Sequence, residues 1–289
     1  MTGILLVDKP TDWTSHDVVA KLRGLLRERR IGHAGTLDPM ATGLLTIFVG
    51  RATRAVEFAE AEAKTYITRL RLGVTTDTQD ITGRVLSECA ADVLQAELEA
   101  ILPQFLGEIQ QIPPMYSAIK IDGQRLYKLA RQGVEVARKA RPVTIHKIEV
   151  LGQVDGDFEL EITCSKGTYI RTLCHAIGAA LGCCGTMAAL RRTHVGAFSV
   201  EAAHSIVEVD ACEDRSGLLL PLDTLFAAYP AMTVDEKQEW SIRNGQVVTL
   251  QSGEPGMVRV YGSDGGFLAL GEAEAGRLAI IKRFFDVKE

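Results

Sequence analysis

Residues 157–182, DFELEITCSKGTYIRTLCHAIGAALG, change from one hydrophobic period to another within a single stretch. Up to Cys164, apolar and polar residues alternate, which is the pattern of a strand with one buried face. A turn at Lys166–Gly167 follows. Apolar residues then recur every three to four positions, which predicts a helix that starts near Thr168. Because Cys174 falls on the apolar stripe of this helix, we interpret it as a core thiol rather than a zinc ligand.

Other stretches show the same two periods. Residues 64–73, KTYITRLRLG, alternate and predict another strand. Helical spacing of apolar residues is present in residues 14–30, 92–107 and 123–133. The first of these helices has Thr14 or Ser15 as its expected N-cap. After about Tyr229, short alternating runs broken by glycine-containing turns predict a small β-rich module. We therefore expect two domains, residues 1–228 and 229–289.

Bulk properties describe an ordinary globular protein. The chain has 289 residues, of which 46% are hydrophobic and 24% charged, so it can bury a substantial core. The N-terminus has no signal-peptide pattern, and no stretch approaches the roughly 20 apolar residues of a membrane helix. Six cysteines without a CxxC pair, two of them adjacent (Cys183 and Cys184), do not resemble a disulfide framework. We expect a cytoplasmic protein that makes no membrane contact.

The charge is unevenly distributed along the chain. A net charge of −5 argues mildly against a nucleic-acid partner. However, residues 1–54, 111–150 and 164–196 carry excess positive charges of +3, +5 and +4, whereas acidic residues concentrate in 77–110 and 201–223. A polyanion responds to a local face of charge rather than to the total. Such runs are also typical of solvated faces, so both interpretations stay open.

Residues 32–45, GHAGTLDPMATGLL, place Asp38 directly before Pro39. Taken alone, this pair favours a helix start, with aspartate as the N-cap and proline at the first helical position. A catalytic carboxylate would need the same rigidity, together with a basic partner that lowers its pKa. Small neighbours would let a flat ligand or another backbone approach it closely. Arg171 is one candidate partner.

Six stretches carry a resemblance to a known family. They are LLVDKPTDWTSHDVV (5–19), GHAGTLDPMATGLL (32–45), KTYITRLRLGVTTDTQDITG (64–83), IPPMYSAIKIDGQRLYKLARQG (112–133), CSKGTYIRTL (164–173) and ALRRTHVGAF (189–198). In this order they resemble the TruB family of pseudouridine synthases, whose bacterial members act on uridine 55 of tRNA. The resemblance covers nearly all of residues 3–200, and the C-terminal module resembles a PUA domain. One departure is Asp12, where the family usually has glycine, which bears on the local turn and on no catalytic residue.

The resemblance implies an α+β fold with a mixed, largely antiparallel sheet, flanking helices and a small β-rich PUA-like domain. It implies isomerisation of uridine to pseudouridine in the T loop of tRNA by a monomer. The base is flipped into a pocket, and neither a cofactor nor a metal is required. Asp38 corresponds to the catalytic carboxylate. It could attack C1′, stabilise an oxocarbenium-like centre or help to form a glycal, and the sequence leaves all three open.

Further positions match the family one by one. Tyr66 matches a tyrosine that stacks on the uracil and is a candidate proton shuttle, and Arg171 matches the partner of the aspartate. Among the substrate-binding positions, His33 reaches into the T loop, Leu190 lines the uracil pocket, and Lys9 (with Pro10) buttresses the active-site loop. Read without the resemblance, Tyr66 and Leu190 would be core residues. Likewise, His33 would be a turn histidine bonded to backbone and Arg171 a phosphate contact or a surface ion-pair residue.

Residues 115–143 correspond to a family insertion that folds over the RNA. Arg125, Lys128 and Arg131 recur every three residues, on one side of the predicted helix, and Arg138, Lys139 and Arg141 follow closely. Such density suits phosphate contacts, which position RNA without reading its sequence. A solvated face is an equally good interpretation for each of the six taken singly.

Three rival functions remain at this level. A non-catalytic tRNA-binding protein, such as an RNA chaperone, would share every basic patch and differ only in what Asp38 does. A metal-dependent hydrolase would combine Asp38 with the cysteine and histidine cluster around residues 164–194. Other members of the family modify other RNAs or use guide RNAs, although the short chain without basic tails favours a stand-alone enzyme acting on tRNA.

Overall fold

The computed structural model describes residues 1–121, 123–250 and 254–285. Its α-helices are α1 (Ser15–Leu26), α2 (Val56–Ala61), α3 (Gln95–Ile101), α4 (Leu126–Arg131), α5 (Ile170–Ala180), α6 (Ile206–Ala211) and α7 (Glu236–Arg243). Its strands are β1 (Gly3–Lys9), β2 (Ile31–Ala34), β3 (Thr42–Val49), β4 (Lys64–Leu72), β5 (Val74–Thr76), β6 (Val85–Glu88), β7 (Gly107–Gln111), β8 (Lys120–Ile121), β9 (Gln124–Arg125), β10 (Arg141–Val154), β11 (Asp157–Cys164), β12 (Gly185–Val195), β13 (Phe198–Ser199), β14 (Ala231–Thr233), β15 (Val248–Thr249), β16 (Gly256–Tyr261), β17 (Phe267–Glu274) and β18 (Arg277–Arg283). No described helix combines the length and apolar character needed to cross a bilayer.

One large mixed sheet forms the centre of the molecule. Its strands are ordered β1-β3-β12-β4-β11-β10-β7, with β2 added on β3 and β13 on β12. Strands β3 and β12 run parallel, and the neighbouring pairs β1–β3, β4–β12 and β4–β11 run antiparallel. The α+β class with a mixed, largely antiparallel sheet is therefore confirmed.

The predicted alternation of apolar and polar residues on the strands determines which side chains form the core. On β11, Phe158, Leu160 and Ile162 are at most 4% exposed, and they pack with Leu70 of β4 and the apolar face of α5. Burial of one such side chain stabilises the fold by about 1.5–3 kcal/mol. Helix α1 begins after Thr14, whose hydroxyl and backbone exchange hydrogen bonds with Asp17 in a capping box.

A second sheet, of order β14-β16-β17-β18-β15, lies in the C-terminal part of the chain. An aromatic cluster joins the two sheets. Phe226 packs against Phe58 at 5.3 Å and against Phe267 and Phe284 of the C-terminal part at 6.1 and 5.8 Å between ring centroids. The domain boundary near residue 228 stays a prediction, and residues 251–253 and 286–289 of the predicted second domain lie outside the described residues.

Two helix predictions extend too far. The stretch 92–107 forms the seven-residue helix α3 and then a 3₁₀ turn over Leu102–Phe105, because Pro103 cannot donate to a continuing α-helical ladder. The stretch 123–133 is helical from Leu126, because Gln124–Arg125 pair with β8 in a two-stranded hairpin. The N–H of Gly133 donates to the carbonyl of Ala130 just past the helix end, with φ at 73°.

Candidate active site

The Asp38 loop is a turn and not the start of a helix. The backbone N–H of Ala41 donates to the carbonyl of Asp38 at 3.1 Å, and strand β3 begins directly afterwards, at Thr42. Pro39 therefore occupies the first central position of a four-residue turn, where its fixed φ is favoured. The prediction that Asp38 caps a helix is wrong, since an aspartate–proline pair suits a β-turn as well as an N-cap.

Lys9 holds this turn from the interior. Its buried ammonium donates to the carbonyls of Pro10 at 2.8 Å, Trp13 at 2.6 Å and Pro39 at 3.2 Å. Burial lowers the pKa of Lys9 to about 8, against the opposing charge of Asp38. Lys9 was grouped above with the substrate-binding positions. Because Lys9 has no exposed surface, it supports the backbone beside Asp38 and does not reach solvent.

Asp12 adopts a left-handed backbone conformation beside the Asp38 loop. Its φ is 63°, in the left-handed region, and its N–H donates to the carbonyl of Pro39 at 2.9 Å. Glycine adopts this region freely, and aspartate is among the residues that tolerate it best. Aspartate is therefore accommodated at this position, and its hydrogen bond ties the N-terminal motif to the Asp38 loop.

Arg171, near the start of α5, forms an ion pair with Asp38 in the loop before β3. The Arg171 Nε lies 2.9 Å from Asp38 Oδ2, and Nη2 donates to Oδ1 at 3.3 Å, so the contact is two-pronged. The guanidinium also donates to the carbonyls of Thr78 at 2.9 Å and Tyr116 at 2.8 Å. The Arg171 side chain is 5% exposed, whereas the Asp38 side chain is 36% exposed and so partly open to solvent. The planar guanidinium of Arg171 therefore orients the Asp38 carboxylate toward solvent.

A second carboxylate shares the same guanidinium. Asp80, which is 5% exposed, places Oδ2 at 3.7 Å from Arg171 Nε. Its Oδ1 accepts from the Thr78 hydroxyl at 2.8 Å and from the Thr82 N–H at 3.0 Å. We call Asp38, Asp80 and Arg171 the charged centre. Sequence reasoning missed Asp80, although it lies in the quoted stretch 64–83, because nothing local separates it from a turn aspartate.

Burial and charge oppose each other at Asp38. Burial raises the pKa of its carboxyl, the Arg171 guanidinium lowers that pKa, and the neighbouring Asp80 raises it again. Removal of an anion from water disfavours its charged form, and a cation in direct contact restores it. Arg171 is therefore the group that most strongly favours ionised Asp38 in this setting.

Tyr66 and Leu190 lie in the hydrophobic core that packs against the Asp38 loop. Both are 9% exposed, and both belong to the cluster that includes Leu37 and Ala41 of the Asp38 loop. Burial raises the pKa of the Tyr66 phenol, so the hydroxyl stays protonated near neutral pH. The expected core role and the expected pocket role are compatible, because each side chain packs inward and retains a small exposed edge.

Arg192 is a second residue that sequence reasoning missed. It is 1% exposed and donates from Nε to the Leu44 carbonyl at 2.7 Å and from Nη2 to the Gly35 carbonyl at 3.0 Å. It also lies close enough to Tyr66 for its charge to oppose the rise that burial causes in the pKa of that phenol. It thus connects the Asp38 loop to the tyrosine. Its only signal was its position in the ALRRT motif, where the adjacent Arg191 looks identical but forms a surface pair with Asp8.

His33 lies on strand β2 and not in a turn. The prediction of a turn histidine bonded to backbone is therefore wrong about the turn. Within the described residues, the buried Nδ1 has no hydrogen-bond partner. Burial lowers the pKa of the imidazole, with a smaller contribution from the Arg192 cation. The ring is therefore neutral near pH 7, which suits stacking against an uncharged base.

The insertion, residues 115–143, presents cations outward. Arg125, Lys128, Arg131 and Arg141 are exposed. The guanidinium carbons of Arg125 and Arg131 lie 6.0 and 5.6 Å from the centroid of the Tyr127 ring. A groove of about 480 Å³ runs beside them, lined in part by Lys120, Gln124 and Lys128. Asp122 lies outside the described residues.

Arg138 differs from the other cations of the insertion. Its guanidinium bonds Glu135 at 2.8 Å and the Pro113 carbonyl at 3.2 Å. Arg138 is therefore engaged within the protein, unlike its outward-facing neighbours.

The cysteines and histidines of residues 164–194 do not converge. Cys164 and Cys174 are core thiols whose pKa values burial raises to about 11 and about 12. Within the described residues, no group of three or more histidine, cysteine, aspartate or glutamate side chains is arranged to hold a metal ion.

Three family models match consecutive parts of the chain. They are the TruB family pseudouridylate synthase N-terminal domain over residues 23–170, the tRNA pseudouridylate synthase B C-terminal domain over 171–227, and the pseudouridine synthase II TruB C-terminal model over 230–280. Together they cover both the charged centre and the second sheet.

Relatives and solved structures agree with the models. A tRNA pseudouridine synthase B from Aromatoleum aromaticum is 44% identical over 94% of this chain and 89% of its own. Another, from Dechloromonas aromatica, is 42% identical over 99% and 96%. A crystal structure of a Cbf5–Nop10–Gar1 complex matches with a TM-score of 0.75 and 26% identity over 99% of this chain and 85% of that chain. The chain belongs to the TruB family of pseudouridylate synthases.

Proposed function

We propose that the protein isomerises uridine to pseudouridine at position 55 in the T loop of tRNA, with Asp38 as the catalytic carboxylate. The observation that carries this proposal is the two-pronged contact between Asp38 and Arg171 at 2.9 and 3.3 Å. This contact leaves the Asp38 carboxylate partly exposed to solvent, where a substrate could reach it. The relatives named above, at 42–44% identity over nearly the whole chain, support an RNA substrate of this class.

The reaction breaks the N1–C1′ bond of the uridine, turns the base and joins C5 to C1′, after which C5 loses its proton. Asp38 faces C1′ as an anion and attacks it, stabilises positive charge there or helps to form a glycal. In each case the carboxylate must be ionised, and Arg171 favours that form. Tyr66 supplies a flat surface for the detached uracil and a protonated hydroxyl, and Leu190 excludes water at the pocket edge.

Extraction of a base from its stack leaves a gap and costs a few kcal/mol. We assign His33 to that gap because its imidazole is flat and its pKa is lowered towards the neutral form. Arg125, Lys128, Arg131 and Arg141 are assigned to phosphates of the T stem-loop, and residues 229–289 to a PUA-like RNA-binding domain. The enzyme acts as a monomer, as the family resemblance implies, and a tRNA substrate supports a cytoplasmic location.

Tritium release from C5 of uridine 55 in an unmodified tRNA transcript tests the proposal. Wild-type protein should release the label, and Asp38→Asn should lose roughly a millionfold in turnover, as happens when members of a catalytic unit are removed. If neither protein releases tritium but both bind tRNA tightly, the protein is a non-catalytic RNA chaperone. Elemental analysis of active protein separates the metal-dependent hydrolase, which would need a stoichiometric metal.

A further inference from the structure

Cys89 and Cys184 lie side by side although 95 positions separate them in the chain. The backbone N–H of Cys184 donates to Cys89 Sγ at 2.8 Å, so the sulfur of Cys89 lies against the backbone of Cys184. Cys89 is exposed and Cys184 is partly exposed, so small reagents can reach them.

The backbone holds this pair together. The N–H of Gly73 donates to the carbonyl of Cys184, and the N–H of Cys89 donates to the carbonyl of Gly73, both at 2.9 Å. Gly73 has a φ of 90°, and a Cβ at this position would come within 3.1 Å of the Cys89 carbonyl oxygen. The two segments that carry the thiols are therefore held next to each other by hydrogen bonds to the same residue.

Cys184 is the better nucleophile of the pair. Its Sγ lies 3.5 Å from the Ser87 hydroxyl, and hydrogen bonds from Ser87 and Cys89 lower its pKa. The same contact raises the pKa of Cys89, which stays a thiol. A cysteine with a lowered pKa beside a second cysteine is the arrangement found where thiols oxidise reversibly.

We propose that Cys89 and Cys184 form a reversible disulfide when the protein meets a peroxide. The Cys184 thiolate attacks one oxygen of hydrogen peroxide, which gives a sulfenic acid and, with one proton, water. The sulfur of Cys89 then attacks the sulfenic sulfur, the S–S bond forms, and the hydroxyl leaves as a second water with the Cys89 proton. Two thiols lose two electrons and two protons, and one peroxide becomes two waters. A reducing thiol reverses the bond.

The bridge would close the base of the β5–β6 hairpin onto the start of β12. The turn of this hairpin carries Thr78 and Asp80, which contact Arg171. A covalent link over 95 positions restricts the unfolded chain. Oxidation should therefore raise the thermal midpoint and slow proteolysis of the hairpin. Because the two segments are already held together by the backbone of Gly73, turnover should change less than about twofold.

Peptide mapping of the full chain tests this inference without any tRNA, so its outcome is independent of the proposed function. Reduced protein is treated with equimolar hydrogen peroxide, alkylated, digested and analysed by tandem mass spectrometry. We expect a Cys89–Cys184 linkage, four of the six cysteines alkylated, and reversal by dithiothreitol.

Adjacent cysteines provide the matched control. Cys89→Ser, an exposed position that tolerates a hydroxyl, should abolish the linkage and the rise in the thermal midpoint. Cys183→Ser should retain both. A Cys89–Cys183 linkage, six alkylated thiols after oxidation, or a bond that forms only in urea would each overturn the assignment.

Discussion

The charged centre and the insertion both rely on arginine, but they use it differently. Arg171 is almost fully buried, and its donors are occupied by Asp38 and two backbone carbonyls, with Asp80 close to Nε. Arg131 is exposed, and its described contact is the face of the Tyr127 ring. A charge removed from water interacts strongly and acts through its geometry, whereas an exposed charge is screened by salt. Substitutions in the first region should therefore change turnover, and those in the second should change RNA binding.

Among the substitutions that test this comparison, Arg171→Ala should have the largest effect. Loss of the two-pronged contact frees the Asp38 carboxylate to rotate and raises its pKa, so turnover should fall by about a hundredfold to a thousandfold. The Kd for tRNA should rise far less. Single-turnover tritium release and filter binding measure the two quantities. Arg191→Ala is the control, because Arg191 forms an aspartate pair at 2.7 Å in which its own side chain is 41% exposed. Equal losses of turnover and binding in Arg171→Ala would contradict the comparison.

Lys9→Met should lower the free energy of unfolding. The three carbonyls that Lys9 contacts would lose their donor inside the protein, and each unsatisfied buried group costs about 1–3 kcal/mol. Urea denaturation measures this change. In the matched variant Lys21→Met, a surface pair with Asp210 is lost, and the expected change is below about 1 kcal/mol. If the free energy of unfolding fell by similar amounts in the two variants, the buried contacts of Lys9 would contribute no more to stability than a surface ion pair.

The pH dependence of turnover sharpens the role of Arg171. Since burial raises the pKa of Asp38 and the reaction needs the carboxylate, turnover should fall as the pH drops through that raised pKa. Below it, each pH unit should cost about tenfold. In Arg171→Lys the contact that lowers the pKa of Asp38 is weaker, so the fall in turnover should begin at higher pH. If single-turnover rates of wild type and Arg171→Lys fell at the same pH, a group other than Asp38 would be responsible for the pH dependence.

The smallest effect is expected in the insertion. Arg131→Gln should weaken tRNA binding several-fold and reduce the slope of log Kd against log salt by about one, because one phosphate contact is lost. Turnover at saturating tRNA should stay unchanged. Arg138→Gln is the paired control, since that guanidinium is held by Glu135 and the Pro113 carbonyl. If both variants changed the slope of log Kd against log salt equally, the exposure of an arginine would not determine whether it contacts RNA.

Elements whose signals are local were predictable. Strand β11 follows from alternation over residues 157–164, and helix α1 from its apolar spacing and the Thr14 cap. The helix expected after Asp38 was wrong because Asp–Pro suits two local structures. Pairing decides between them: strand β3 lies between β1 and β12, and its hydrogen bonds begin at Thr42, which leaves room only for a turn.

The sequence by itself determined the family motifs, the alternation that builds the core, and Asp38 and Arg171 as candidates for a pair. Only the tertiary structure decided that these two side chains, 133 positions apart, meet at 2.9 Å. It also decided that Asp80 joins them, that Lys9 is buried beneath the loop, and that Arg192 and Arg191 have different surroundings. The physical reason is that periodicity reports which face of an element is buried, whereas the distance between two polar groups depends on how separate elements pack.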